Sequence, residues 1–341
     1  MSTLSKTDNK SNANSASKTN QNTANSGTAK YFRQWSKHPV FYPLLGFLAV
    51  FLIMVVADDN FLTANNLTNV ARQVSINAII AVGMTCAILI GGIDLSVGSV
   101  MALAGTVTAG LMIAGVPPEL AIIGGLALGS CFGAINGFLI AYGKMPAFIV
   151  TLAALGIARG LALIYTGGYP ISGLPSWFSF LGRGDVFGLQ TPILIMLVVY
   201  LIAYIFLNHT PFGRHVYAIG GNSEAARLSG IKVPKITMIV YTISGLTSAV
   251  AGIILTSRLM SGQPNAGVAF ELDAIAAVVL GGAAMSGGKG AILGTLVGAM
   301  LLGVLNNGLN LVGISPYVQN VIKGIIILVA IYVGTDKSKK A

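Results

Sequence analysis

Residues 191–206 read TPILIMLVVYLIAYIF and residues 236–255 read ITMIVYTISGLTSAVAGIIL, and neither run contains a charged side chain. Runs of this kind recur along most of the chain. Charged residues make up 9% of the 341 residues and hydrophobic ones 54%, whereas a soluble domain carries about 25% charge. A chain with so few charges cannot cover a surface that faces water, so lipid must solvate most of it. The 43 glycines fit that solvent, because small residues let membrane helices approach closely.

The net charge of +10 does not read as a nucleic-acid footprint, because the basic residues sit in short segments between apolar runs. Ten candidate spans can be drawn, at about 40–57, 74–91, 97–115, 120–141, 147–165, 190–208, 235–257, 271–285, 290–310 and 316–334. The expected fold is therefore all-α and polytopic, with about ten transmembrane helices. The span at 271–285 is short, and Gly91 and Gly92 leave room for one broken helix. With the N-terminus placed in the cytoplasm, 15 Lys and Arg fall inside and three (Arg72, Arg183, Arg258) outside. That bias predicts cytoplasmic N- and C-termini. Residues 1–30 are rich in Ser, Thr, Asn and Lys and lack apolar periodicity, so a disordered cytoplasmic tail is expected there. The membrane-spanning body is expected over 31–335 and a short cytoplasmic tail over 336–341. The first apolar run has no small-residue cleavage site after it and reads as a retained helix.

Several chemistries find no support. "GGKG" at 287–290 resembles part of a phosphate loop, but Ala283 and Gly290 stand where the motif needs Gly and Ser or Thr. An ATP site of the chain's own is not expected. Cys86 and Cys131 lie in apolar segments and read as small buried residues; they offer no disulfide framework or metal spacing. "AIIAVG" at 78–83 and "AIAAVV" at 274–279 both precede Gly-Gly elements, a similarity too weak to define a repeat.

Polar residues inside the apolar spans are the candidates that remain, since a charge at the bilayer centre costs at least about 2.5–3.5 kcal/mol on insertion scales. Asp94, in "GGIDLSVGS", can cap the helix that follows it or line a transport path, and the two roles are compatible. Arg159 and Lys323 can snorkel or pair with helix-end carbonyls. Asn136 lies in the fourth span; Asn306, Asn307 and Asn310 in the ninth; Gln319 opens the tenth. Asn306 and Asn310 are four residues apart and share a helical face. Such uncharged amides suit a path for a neutral polyhydroxylated solute, or else they hold helices together.

The longest polar interruption is residues 209–235, with His209, Arg214, His215, Glu224, Arg227, Lys232 and Lys235. Charge bias places it in the cytoplasm. Within it "EAARLSG" predicts a short helix, started by Asn222 or Ser223 and ended by Gly230. A connection this long is more often functional than inert.

"GGNSEAARLSGIKV" resembles the Glu-Ala-Ala-x-x-x-Gly element of the membrane subunits of ATP-binding-cassette importers. Together with "GGIDLSVGS", "ELDAIAAVVLGG", "GGKG" and "LNNGLNL", it resembles the monosaccharide branch of those permeases, the ribose, xylose and galactose type. The resemblance covers about residues 31–335. The longer importer pattern, with Ile-x-Leu-Pro after the glycine, is absent. The resemblance implies a homodimeric membrane subunit that translocates a monosaccharide, ribose by the nearest likeness. It implies docking of a cytoplasmic ATPase through Glu224, Ala225, Ala226, Arg227, Leu228 and Gly230, and sugar delivery by an extracytoplasmic binding protein. ATP would be held by the separate ATPase. The rival readings are a proton-coupled sugar carrier with Asp94 as the titrating group, and a non-transporting protein that holds a cytoplasmic partner.

Overall fold

A computed structural model describes residues 40–338. The tail expected at 1–30, the start of the expected permease body at 31–39 and the last residues of the C-terminal tail lie outside the described residues. The described part is helical almost throughout. Helices form at every one of the ten apolar segments: α1 (Phe41–Ala57), α2 (Ala64–Leu89), α3 (Val97–Ile113), α4 (Pro118–Ala141), α5 (Ala147–Thr166), then, after a short α6 (Phe180–Arg183), α7 (Thr191–His209). The polar interruption forms α8 (Pro211–Gly221) and α9 (Ser223–Leu228). The chain continues as α10 (Val233–Leu259), α11 (Phe270–Leu280), α12 (Ile292–Leu311) and α13 (Pro316–Ser338). Six of these, α2, α4, α5, α7, α10 and α12, are long and apolar enough to cross a membrane, and α1 and α3 are shorter apolar helices.

Local chemistry sets many of the ends. The Thr63 hydroxyl accepts from the Asn66 N–H at the start of α2, and proline occupies the first turn of α4, α7, α8 and α10, where its missing N–H has no partner to lose. The expectation of a purely helical chain needs one small correction. Asp185–Val186 and Leu189–Gln190 pair as antiparallel two-residue strands. Phe187 and Gly188 between them both have positive φ, as a tight hairpin turn requires, and Asp185 accepts from the Gly188 N–H at 2.8 Å.

α2 and α10 form the centre. Most of α2 from Val74 to Leu89 is buried, and α10 packs against α2, α3 and α4. Close approach is what glycine supplies at the α4–α10 contact. A methyl on Gly129 would press on Ala249 and the Gly245 carbonyl, and one on Gly133 on the Tyr241 backbone. The outer helices instead turn large apolar side chains outward: Ile123 on α4 is 58% exposed, Ile164 on α5 79% and Leu201 on α7 59%. A perimeter of large apolar side chains, where a soluble fold would turn polar ones to water, suits lipid as the solvent. Cys86 is buried, but Cys131 is exposed on the outer side of α4, so only the first matches the expectation of a buried small residue.

Two interruptions organise the interior. Between α2 and α3 the chain runs non-helically from Ile90 to Ser96, and between α10 and α11 from Met260 to Ala269. The second segment lies along α3: Gly262 sits beside Thr106 and Ala109, and Gly267 against Gly98 and Met101. The starts of α3 and α11 therefore meet inside the protein. Irregular backbone is tolerated among membrane helices only where protein satisfies its polar groups. Arg159 of α5 does this by donating to the carbonyls of Pro264 and Ala266, and Ile171 exchanges both backbone bonds with Gly262. α11 has 11 residues, about 16 Å at 1.5 Å per residue. The short span drawn at 271–285 is shorter still, because Gly282 takes a left-handed φ of 89° and ends it.

Candidate functional site: a buried polar junction and an exposed hairpin

The α2–α3 interruption carries Asp94, which is 2% exposed. Its Oδ1 accepts from the Ser96 N–H at 3.0 Å and the Ser96 hydroxyl at 2.6 Å. Its Oδ2 accepts from the Ser244 hydroxyl of α10 at 2.7 Å. Asn136 of α4 donates through Nδ2 to Ser96 Oγ at 3.0 Å, and Thr151 of α5 donates to the Ile93 carbonyl at 3.2 Å. A buried carboxyl group with three hydrogen-bond donors within 3.0 Å is held in one place by them. One acid thus ties α3, α4 and α10 together, with α5 held to the adjoining residue. The Tyr241 hydroxyl lies over Gly92 and has no hydrogen-bond partner among the described residues.

The capping expectation for Asp94 is met in modified form. Ser96 stands at the cap position of α3, and Asp94 folds back on it from two residues upstream. Asn136 belongs to the same network. The other amides separate. Asn307 and Asn66 exchange bonds at 2.9 and 2.7 Å, joining α12 to α2. Gln319 donates to Asn310 Oδ1 at 2.7 Å and to the Ile314 carbonyl at 2.8 Å, closing the α12–α13 turn. Asn306 is 4% exposed and its Oδ1 is unpaired among the described residues. Asn306 and Asn310 share a helical face but not an environment, because Asn310 sits in the last turn of α12, exposed and bonded to Gln319.

Sequence reasoning missed three participants. Ser96 was legible, two residues after an Asp at a helix start. Ser244 was not, being 150 residues away in the chain. Asp273 of α11 lies in an apolar run, a signal as legible as that of Lys323. The two form an ion pair at 3.1 Å, so Lys323 neither snorkels nor seeks helix-end carbonyls. Arg159 does bond carbonyls, those of the 260–269 segment.

The second candidate element is the α8–α9 hairpin. Asn222 caps α9 by accepting from the Ala225 N–H at 2.9 Å, and Gly230 follows its end with φ 84°. Ala226 is buried against the body, while Glu224, Ala225, Arg227 and Leu228 are exposed, Leu228 at 74%. Glu224 and Arg227 pair across one turn at 2.6 Å. The hydrogen bond from Arg227 holds the Glu224 carboxyl below its usual range, so the helix presents both charges and an apolar side chain to solvent. α8 was not foreseen as a separate helix. It is amphipathic, with Gly213, Val216 and Ile219 buried.

A charge-poor helical body with two interrupted helices meeting inside, a buried polar junction and a polar hairpin outside is the organisation of a membrane permease. The chain belongs to the family described as branched-chain amino acid transport system / permease component, whose model matches residues 66–331. It is 51% identical to the ribose import permease protein of Bacillus subtilis (strain 168) over 298 residues, covering 87% of this chain and 92% of the relative. The Escherichia coli (strain K12) ribose import permease protein is 48% identical over 301 residues, with 86% and 93% coverage. The D-allose transport system permease protein of the same strain is 39% identical over 298 residues, with 87% and 91% coverage. No solved structure matches.

Proposed function

We propose that this chain is the membrane-spanning subunit of an ATP-binding-cassette importer that moves ribose into the cytoplasm across the bacterial inner membrane. The observation that carries the reading is identity of about one half to ribose import permeases over nearly the whole length of both chains. The family description names amino acids, but the relatives reported above are named for sugars. No relative reported above is named as a proton-coupled carrier. In this reading the chain binds no ATP and has no cofactor. Its partners are a cytoplasmic ATPase, an extracytoplasmic sugar-binding protein and a second copy of itself.

The ten segments are ten spans or partial spans with both termini in the cytoplasm, which puts α8 and α9 on the cytoplasmic side with the ATPase. Glu224, Ala225, Arg227, Leu228 and Gly230 form the docking surface, and buried Ala226 anchors it. Asp94, Asn136 and Asn306 supply polar groups along the sugar path. Asn307, Asn310 and Gln319 border it, their side chains committed to partners that hold α2, α12 and α13. Closure of the ATPase dimer would move α9 and bias the body between outward-open and inward-open states.

The test is uptake of radiolabelled ribose by liposomes containing the chain with and without the ATPase and binding protein. ATP-dependent uptake only in the complete system is expected. Uptake by the chain alone would sink the reading.

A further inference from the structure

Three stretches of backbone, far apart in sequence, meet at the end of α2. Gly220, near the end of α8, lies so close to the Leu89 carbonyl and the Gly288 N–H that a methyl group there would overlap both. A methyl on Gly287 would stand 2.9 Å from the Gly91 nitrogen and 3.1 Å from the Gly220 backbone. One on Gly288 would stand 2.8 Å from the Gly221 nitrogen. The Gly288 N–H donates to the Leu89 carbonyl at 2.9 Å, satisfying one of the orphan carbonyls at the α2 C-terminus. The Tyr217 hydroxyl of α8 donates to the Gly290 carbonyl at 3.0 Å. Gly287 and Gly288 take φ values of 86° and 73°, so the turn itself also calls for glycine.

Backbone packed directly on backbone has no side chain to absorb a shift. Close-packed interiors transmit displacement, so one of these strands of chain cannot move without the others. Each leads somewhere. One residue, Asn222, separates α8 from α9. The end of α2 runs straight into the interruption that holds Asp94. The turn at 284–290 joins α11 to α12.

We infer that Gly220, Gly287 and Gly288 form a transmission joint, through which movement of α9 reaches the α2–α3 interruption and the α11–α12 turn together. Tyr217 is a positioning residue that keeps α8 on the turn. The joint rests on the reading of α9 as the ATPase contact. It gives "GGKG" a role that its failed match to a phosphate loop left open. The adjacent Gly221 sharpens the point, because a methyl there meets nothing within 4 Å. Neither Gly220 nor Gly221 has a positive φ, so contact alone distinguishes them.

The experiment measures ATP turnover and labelled-ribose uptake in the same proteoliposomes, with ATPase and binding protein present. Gly221→Ala is expected to match wild type. Gly220→Ala is expected to keep ATP turnover within about two-fold while sugar moved per ATP falls about ten-fold, and Tyr217→Phe to lower that ratio about three-fold. An unchanged ratio in both Gly220→Ala and Tyr217→Phe overturns the joint, as does a parallel loss of turnover and uptake. Should Gly220→Ala fail to insert, an unchanged ratio in Tyr217→Phe overturns it alone. Absence of ATP-driven uptake by wild type overturns the importer reading and the joint with it. Normal wild-type uptake with unaltered variants overturns only the joint.

Discussion

Asp94 shows how one side chain sets the behaviour of a region. Its carboxylate holds Ser96 and, 150 residues on, Ser244. Asp94→Ala would leave these donors buried and unmatched, at about 1–3 kcal/mol each. A lower melting temperature in detergent is expected, with Asp94→Asn intermediate because its amide keeps one acceptor. Equal melting of all three proteins would remove the network from the account. On the hairpin, Glu224→Arg places two like charges one turn apart and is expected to abolish co-purification of the ATPase while leaving membrane insertion intact. The Glu224 carboxyl is held below its usual range by Arg227. Its contribution to the pair is therefore full above the ordinary glutamate value and lost as pH falls through the depressed one. The difference in ATPase binding between wild type and Glu224→Gln should stay constant from neutral pH down through the ordinary glutamate range; a difference that fades within that range would contradict the pairing.

At the scale of elements, the question is what holds short and broken helices in a low-dielectric interior. α11 is too short to span and is pinned at its start by the Asp273–Lys323 pair to α13. Breaking such a pair from one side costs about 3–5 kcal/mol, because it strands a buried charge. Asp273→Asn is expected to melt well below wild type, and Asp273→Asn combined with Lys323→Met to recover most of the loss. A double variant no better than the single would show that the pair is not the pin. Among the amides, Asn307→Leu removes the link between α12 and α2 and should lower stability. Asn306→Leu breaks no bond to a described residue and should cut uptake with little change in melting. The reverse pattern would move Asn306 out of the path.

For the whole molecule, the arrangement separates two tasks that lie in different parts of the chain. The polar junction sits within the body, where Asp94, Ser96, Asn136 and Ser244 are all buried. The hairpin lies outside it, on α8 and α9. The C-terminal end of α2 lies between them, with Leu89 at the glycine contact and Gly91–Ser96 leading to the junction. In the proposed reading, work done by a separate ATPase reaches the sugar path through this contact.

Several features were settled by the order of residues alone. Lipid as solvent followed from charge-free runs, the existence of a helix at each run from the same pattern, though α2 starts at Ala64, ten residues before the run drawn at 74–91, and the α9 helix from "NSEAARLSG", because each depends on neighbours in the chain. Asp94 stood out for the same reason, as an acid after two glycines in an oily stretch. What tertiary structure decided is who meets whom. Nothing near Ser244 marks it as the partner of Asp94, and Asn306, Asn307 and Asn310 look alike until packing assigns each a different neighbour. The meeting of Gly220, Gly288 and Leu89 is likewise invisible in sequence. Glycine permits a close approach, but a missing side chain carries no pattern that says whether one occurs or with what.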